Sequence, residues 1–322
     1  MSFFNEPVPW VRDQPLIDIL IWLERQSATH ATGALFQCVV PNPDWGAGCY
    51  PGEIYERDGE YLCHRALPIW FELAERVACR LRTPRWRADD WLALTFEVLD
   101  PQKVPHWFVG PRAEKYEPGT DFSKIVRTEE PTFLHHYLHF IRRIPKRNPT
   151  RVLLLGVGQG WEVVPFLRCW SPDRLAETEL IGIDHAARAV AAAQARFGSL
   201  GPRFLVADLG GFDFATLGVF DVIVAINVLH SPALDGHRIL HRLLTHHCRP
   251  NSRVLFGFPN CRYLDGEVRY GTRVGKQRET EMTPLLQEVG FYRRTLIKHH
   301  FDVKVHGKHT VLVEGTRKQF AR

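Results

Sequence analysis

Apolar and polar residues follow two different rhythms along this chain, and the change comes near residue 145. Before it, LIDILIWLERQ (16–26) and ALPIWFELAERVACRLR (66–82) repeat apolar residues at spacings of three and four, which predicts two amphipathic helices. WLALTFEVL (91–99) reads as a strand. PTFLHHYLHFIRRI (131–144), entered through Pro131, reads as a helix that the polar turn PKRNP ends. Turns such as NPDWGAG and YPGE interrupt any longer period between these elements.

After it, short β-rich runs alternate with helical ones. The strands are RVLLLG (151–156), ELIGID (179–184), RFLVAD (203–208), FDVIVAIN (220–227) and SRVLFGF (252–258). The helices begin at Trp161 and continue with HAARAVAAAQARF (185–197), LDGHRILHRLLTHHC (234–248) and TPLLQEVGFYRRTLIKHH (283–300). Such alternation predicts a parallel sheet covered by helices. FDVKVHGKHTVLVEG (301–315) breaks it with two alternating runs around His306-Gly307-Lys308, an antiparallel hairpin instead of another crossover. The expected architecture is a mixed α/β extension over 1–145, a substrate-binding or lid region, followed by an α/β domain over 146–322.

Composition narrows the class. A chain 45% hydrophobic and 24% charged is an ordinary globular protein, which excludes a disordered tail or a fibre. The longest apolar stretches, PLIDILIWL and LLLGVG, fall short of the ~20 residues of a membrane span. MSFFNEPVPW lacks the basic-then-apolar pattern of a secretory signal, so a cytoplasmic location without a membrane partner is expected. The 7 cysteines form no CxxC pair and are expected to be reduced thiols. Cys38, Cys49, Cys63 and His64 match no zinc module, and His135, His136 and His139 suit the boundary of an amphipathic helix, so no metal is expected.

Charge is unevenly placed. Residues 1–150 hold 18 Lys and Arg against 20 Asp and Glu, a balance of −2, whereas 151–322 hold 23 against 16, a balance of +7. A basic face within 262–322, 13 against 7, would suit an anionic partner; a solvated surface that happens to be basic is the favoured reading.

The chemistry gathers at strand ends. VLLLGVGQGWEV sets Gly156, Gly158 and Gly160 between a strand and a helix, where the backbone must turn sharply and a ligand approaches without Cβ interference. Asp184 ends the second strand, where its carboxylate can accept from two ribose hydroxyls, or cap the following helix. Asp208 ends the third, placed to accept from an adenine amino group, and Asn227 and His230 follow the fourth. These ends line one edge of a parallel sheet, the edge where open α/β sheets bind ligands.

In this order the motifs resemble those of the class I S-adenosylmethionine-dependent methyltransferases: RVLLLGVGQG the first, LIGIDHAARAV the second, VADLGGF the third and FDVIVAINVLH the fourth. The closing hairpin resembles the family's antiparallel sixth and seventh strands. The resemblance spans 150–316 and implies a Rossmann-like seven-stranded sheet with S-adenosyl-L-methionine as cofactor. It implies that Gly156, Gly158 and Gly160 pass under the methionine part, that Asp184 holds the ribose, that Asp208 meets the adenine, and that Asn227 and His230 face the transferable methyl. The family's frequent acid two residues before the first glycine is here Leu154, the Gly160–Asp184 interval is long through SPDRLAETE, and no (N/D)PPY ends the fourth strand.

Methyl transfer demands alignment and exclusion of water more than any fixed base. His230 is the candidate base, since imidazole titrates near neutrality, with a structural contact as its alternative. GFPNCRYLDGEVRYG offers Asn260, Arg262 and Tyr263 for the acceptor. Trp45, Tyr50, Trp107 and Tyr116 in the extension suit either a flat acceptor or packing. A small molecule or peptide is the favoured acceptor, with a tRNA or rRNA docked on the basic face as the alternative. A nicotinamide-dependent oxidoreductase would want a third glycine where Trp161 stands, and a non-catalytic binding protein would keep the fold alone.

Overall fold

The computed structural model describes residues 8–100, 119–120, 122–273 and 280–318. The chain forms two compact units, Met1–Trp107 with Tyr263–Arg269, and Phe108–Arg262 with Tyr270–Arg322.

The first unit runs α1 (Leu16–Thr29), β1 (Leu35–Val40), the hairpin β2 (Ile54–Arg57) and β3 (Glu60–Cys63), α2 (Leu67–Arg76), β4 (Cys79–Leu81), β5 (Arg85–Trp86) and β6 (Leu92–Val98). β6 is the hub of an antiparallel sheet, pairing with β1, β4 and β5. Ile19 and Leu23 of α1 and Trp70 and Leu73 of α2 bury against Cys38, Val40, Leu94 and Phe96 of the sheet. The helix expected over 66–82 is corrected at its end: α2 stops at Arg76 and Cys79–Leu81 is a strand. Ala78 turns the chain in the left-handed region (φ 55°), and its carbonyl accepts from Leu99 N–H. β4 can then pair with β6, and tertiary pairing overrides helical spacing. Trp45 packs edge-on against Trp91, while Tyr50 is 81% exposed. Trp107 and Tyr116 lie outside the described residues.

The second unit begins with α3 (Pro131–Arg142), then β7 (Thr150–Leu155), α4 (Val164–Cys169), α5 (Pro172–Ala176), β8 (Thr178–Asp184), α6 (Ala187–Phe197), β9 (Arg203–Val206), β10 (Phe220–Ile226), α7 (Gly236–His246) and β11 (Cys248–Pro259). β12 (Cys261–Leu264) and β13 (Glu267–Tyr270) pair with each other where the chain passes through the first unit's Tyr263–Arg269, and β14 (Thr272–Arg273) pairs with β15 (Thr280–Glu281) in the second unit. α8 (Thr283–Lys298), β16 (Phe301–Gly307) and β17 (Thr310–Arg317) complete it. SPDRLAETE, which lengthens the connection before β8, forms α5, capped by Ser171 accepting from Arg174 N–H.

The seven-stranded sheet has the order β16-β17-β11-β10-β7-β8-β9. β7, β8 and β9 run parallel toward one edge, and β10 and β11 run parallel toward the other. β17 is antiparallel to both β11 and β16. The hairpin turns through Lys308 and His309, one residue later than its pattern implied, because Gly307 still pairs with Val311. This is a Rossmann-like sheet with a reversed closing hairpin, and its direction of winding switches between β7 and β10.

Side-chain alternation on β7 builds two cores. Leu153 and Leu155 join one with Ile239, Leu243, Tyr292 and Leu296 of α7 and α8. Val152 and Leu154 join the other with Phe133, Tyr137, Phe140 and Phe166 of α3 and α4. α3 therefore belongs to the sheet's own core, and the compact unit starts well before the boundary drawn at 145. A helix that supplies four buried side chains, each stabilising by ~1.5–3 kcal/mol, cannot be part of a separate extension.

No helix among the described residues is long and apolar enough to cross a membrane. Cys38, Cys63 and His64 are buried, and burial drives the Cys38 thiol well above its ordinary value. Among the described residues no three His, Cys, Asp or Glu side chains gather as metal ligands would.

Candidate functional site

The loop between β7 and α4 is assembled by backbone bonds to β8. The N–H groups of Gly156 and Val157 both donate to the Ile183 carbonyl, at 2.8 and 3.2 Å. Gly158 N–H donates to Asp184 Oδ2 at 2.9 Å, so the loop and the end of β8 are held as one piece. The three glycines serve different needs. At Gly156 (φ 68°) a Cβ would lie 2.7 Å from the Val228 side chain, so only glycine lets the loop meet the turn after β10. At Gly160 a Cβ would press on Phe197 and Ala193 of α6, at 3.0 and 3.1 Å. At Gly158 a Cβ would meet nothing within 4 Å, and this is the open side of the loop.

Asp184 is 6% exposed. Besides Gly158, its carboxylate accepts from Ala186 N–H at 2.9 Å and lies 3.2 Å from His185 Nδ1. Burial alone would raise its pKa, but the bonds from His185, Ala186 and Gly158 and the nearby imidazole outweigh burial and hold it below the usual carboxylate range. The cap alternative raised from sequence has a concrete form: Asp184 closes a turn onto Ala186, ahead of α6. Asp208 is exposed and its Oδ1 accepts from Gly210 N–H at 3.0 Å. Ala207 N–H donates to the Asp184 carbonyl at 2.9 Å, which brings the ends of β8 and β9 together.

At the switch point, Asn227 follows β10 in the left-handed region (φ 55°), pinned by its N–H donating to the Gly257 carbonyl at 2.9 Å. Its amide nitrogen and oxygen are both buried, and among the described residues neither has a hydrogen-bond partner. A buried primary amide left unpaired costs ~1–3 kcal/mol, a cost that a ligand removes by bonding to it. His230 lies three residues on, its ring 6.5 Å from that of Phe258 on β11. Asn260 is largely committed to the hairpin: its Nδ2 donates to the Lys308 carbonyl at 2.9 Å and its N–H to the His309 carbonyl at 2.8 Å. Arg262 belongs to the second unit and Tyr263 to the first.

One residue of the site escaped the sequence reading. Glu162, in the first turn after the loop, is only partly exposed. Burial pushes its carboxyl up to about 7, against a bond from its own backbone N–H; the charge of Asp184 adds to the rise and Arg127 opposes it. Its backbone carbonyl accepts from the buried Tyr137 hydroxyl at 3.0 Å, which ties the turn to α3. The available signal was an acid six residues after Gly156, in a turn otherwise built of Trp161 and Val163.

No family model and no curated protein matches the chain. Several solved structures resemble it. The plantazolicin methyltransferase BpumL in complex with SAH is 14% identical, at a TM-score of 0.44 over 64% of this chain and 94% of that one. Magnesium protoporphyrin IX methyltransferase from Synechocystis PCC 6803 with bound SAM is 15% identical, at 0.38 over 61% and 86%. A SAM dependent methyltransferase from Aquifex aeolicus is 16% identical, at 0.40 over 60% and 97%. By its own strand order, five parallel strands closed by an antiparallel hairpin, the second unit has the Rossmann-like fold of the class I methyltransferases.

Proposed function

We propose that the second unit binds S-adenosyl-L-methionine at this edge and transfers its methyl group to a small-molecule or peptide acceptor. The observation that carries the reading is the buried, unpartnered amide of Asn227 at the switch point, beside the Gly156 loop and in line with Asp184 and Asp208. When bound, the cofactor supplies a methyl group activated on a sulfonium.

The chain's own residues bind and align. Asp184 stays ionised and keeps about one acceptor site, enough for a ribose hydroxyl, beyond the three donors it already meets. Asp208 is the adenine contact, and the open side of Gly158 passes beneath the amino-acid part. The Asn227 amide offers one donor group and one acceptor to the ligand. His230 is the group that takes a proton, at a ring nitrogen, from acceptors that must lose one. The acceptor preference rests on charge: residues 1–150 carry 18 Lys and Arg against 20 Asp and Glu, no excess of cations for a nucleic acid.

Turnover and affinity separate the roles. His230→Ala should lower turnover while leaving affinity for S-adenosylhomocysteine within about threefold, under ~0.7 kcal/mol. Abolished ligand binding with the fold intact would move His230 into the cofactor pocket. RNA retention that falls steeply with salt would replace the small-molecule or peptide acceptor with a nucleic acid.

A further inference from the structure

The cofactor named above carries an α-ammonium, a compact cation whose removal from water must be offset by a carboxylate or by several carbonyls. β7 offers no acid beneath the loop: Leu154, two residues before Gly156, is 2% exposed and packed in the apolar core. Three carboxylates stand at the strand ends or in the turn after the loop. Asp184 already meets two backbone N–H groups and the His185 ring, and Asp208 is exposed and turned onto Gly210. Glu162 is different. Its carboxylate meets its own backbone N–H, and no cation among the described residues lies within ion-pair distance of it. Arg127, the cation whose charge reaches it, is paired with Glu130.

We propose that Glu162 is the acidic subsite of this pocket and receives the cofactor's α-ammonium. The inference rests on the cofactor reading above. Backbone geometry sets Glu162 in the turn immediately after the loop. The turn Trp161–Val163 leaves the loop directly, and Val163 N–H donates to the Gly160 carbonyl at 3.0 Å. Tyr137 fixes the Glu162 backbone, and the buried amide of Asn227 shows a second polar group at this edge awaiting a ligand. The groups that face Glu162 are Asp184 at the end of β8, Arg127 before α3 and Tyr137 on α3.

The subsite makes affinity depend on pH with a defined sign. A carboxyl raised to about 7 is mostly protonated at pH 6 and mostly ionised at pH 8, and only the ionised form attracts the ammonium. S-adenosylhomocysteine should therefore bind about tenfold more tightly at pH 8 than at pH 6. Its analogue without the α-amino group should bind wild-type protein at least tenfold more weakly at pH 8 and without that dependence. Glu162→Gln should produce the same loss and the same flat profile for S-adenosylhomocysteine. Binding of 5′-methylthioadenosine, which lacks the amino-acid part, should be the same in wild type and variant. Calorimetry at the two pH values measures all four. Equal wild-type affinity for S-adenosylhomocysteine and its deaminated analogue would overturn the assignment, and so would a Glu162→Gln loss that is as large for 5′-methylthioadenosine. If wild-type protein binds none of the three ligands, the cofactor reading itself fails.

Discussion

The sheet of the first unit and the strand-end edge of the second treat their polar side chains in opposite ways. On the sheet of the first unit, polar groups satisfy one another. Arg80 reaches Glu97 and Glu267, Arg82 reaches the same Glu97, and Gln37 donates to Thr95 at 2.9 Å. Gln37, Arg80, Arg82, Thr95 and Glu267 line an open groove of about 710 Å³. At the strand-end edge of the second unit, the Asn227 amide has no partner among the described residues, Glu162 is raised toward neutrality, and Gly158 leaves its side of the loop open. Groups that complete each other hold a fold together, whereas groups left incomplete mark where a ligand enters.

Substitutions should sharpen that contrast. Asp184→Ala should have the largest effect, since it removes charge-assisted bonds to Gly158 and Ala186 as well as the one proposed to the ribose. At ~1.5–3 kcal/mol, losing a ribose bond to the charged group weakens S-adenosylhomocysteine binding about tenfold or more, and the loosened loop adds to the loss. Unchanged affinity in calorimetry would reduce Asp184 to a turn-forming residue.

Glu314 tests the other role, a polar group that is fully paired inside the second unit. It is 4% exposed on β17, against Arg143 of α3, Arg253 of β11 and His306 of β16. Burial opposes its ionisation, but the bond from His306 and the charges of Arg143 and Arg253 win and lower its pKa to about 2. A depressed carboxylate stabilises above its unfolded value, near 4.5, and that stability is lost as pH falls toward 2. The contribution at neutral pH is on the order of 3 kcal/mol. Urea melts of wild type and Glu314→Gln should converge as pH drops from 5 to 3; a constant gap would mean the network does not titrate.

Gly156→Ala should cost about 1–3 kcal/mol of stability, because the new methyl meets Val228 and the residue keeps a left-handed conformation. A thermal melt unchanged by this variant would mean the loop and the turn after β10 are not in contact. Arg80→Met should do least, within about 1 kcal/mol, since the network is partly solvated, Arg82 still pairs with Glu97 and Glu267 stays open to water. Cofactor affinity should not change. A large loss of affinity from this variant would erase the distinction between the two units.

The same contrast decides what could be read from the sequence. The parallel strands of the second unit announce themselves because both faces are covered, so VLLL and VIVAI are continuous apolar runs. The loop glycines and the acids at strand ends are equally legible, since their positions follow from strand order. The first unit hides its architecture. β4 is 3 residues long and continues the helical spacing of α2, so only its pairing with β6 defines it. α3 gave its helical period but not its allegiance, which depends on Phe133, Tyr137 and Phe140 meeting β7 across the chain. Glu162 stayed invisible for a similar reason: its acidity comes from burial and from Asp184, 22 positions away.

Everything turns on what occupies the edge at Gly158, Asp184 and Asn227. Titration calorimetry of the full chain with S-adenosylhomocysteine and, separately, with NADH tests it most directly. One S-adenosylhomocysteine should bind per chain, with the signal abolished or greatly weakened in Asp184→Ala, and NADH should give none. Binding of NADH without S-adenosylhomocysteine, or no binding of S-adenosylhomocysteine by the folded wild-type protein, would contradict the account.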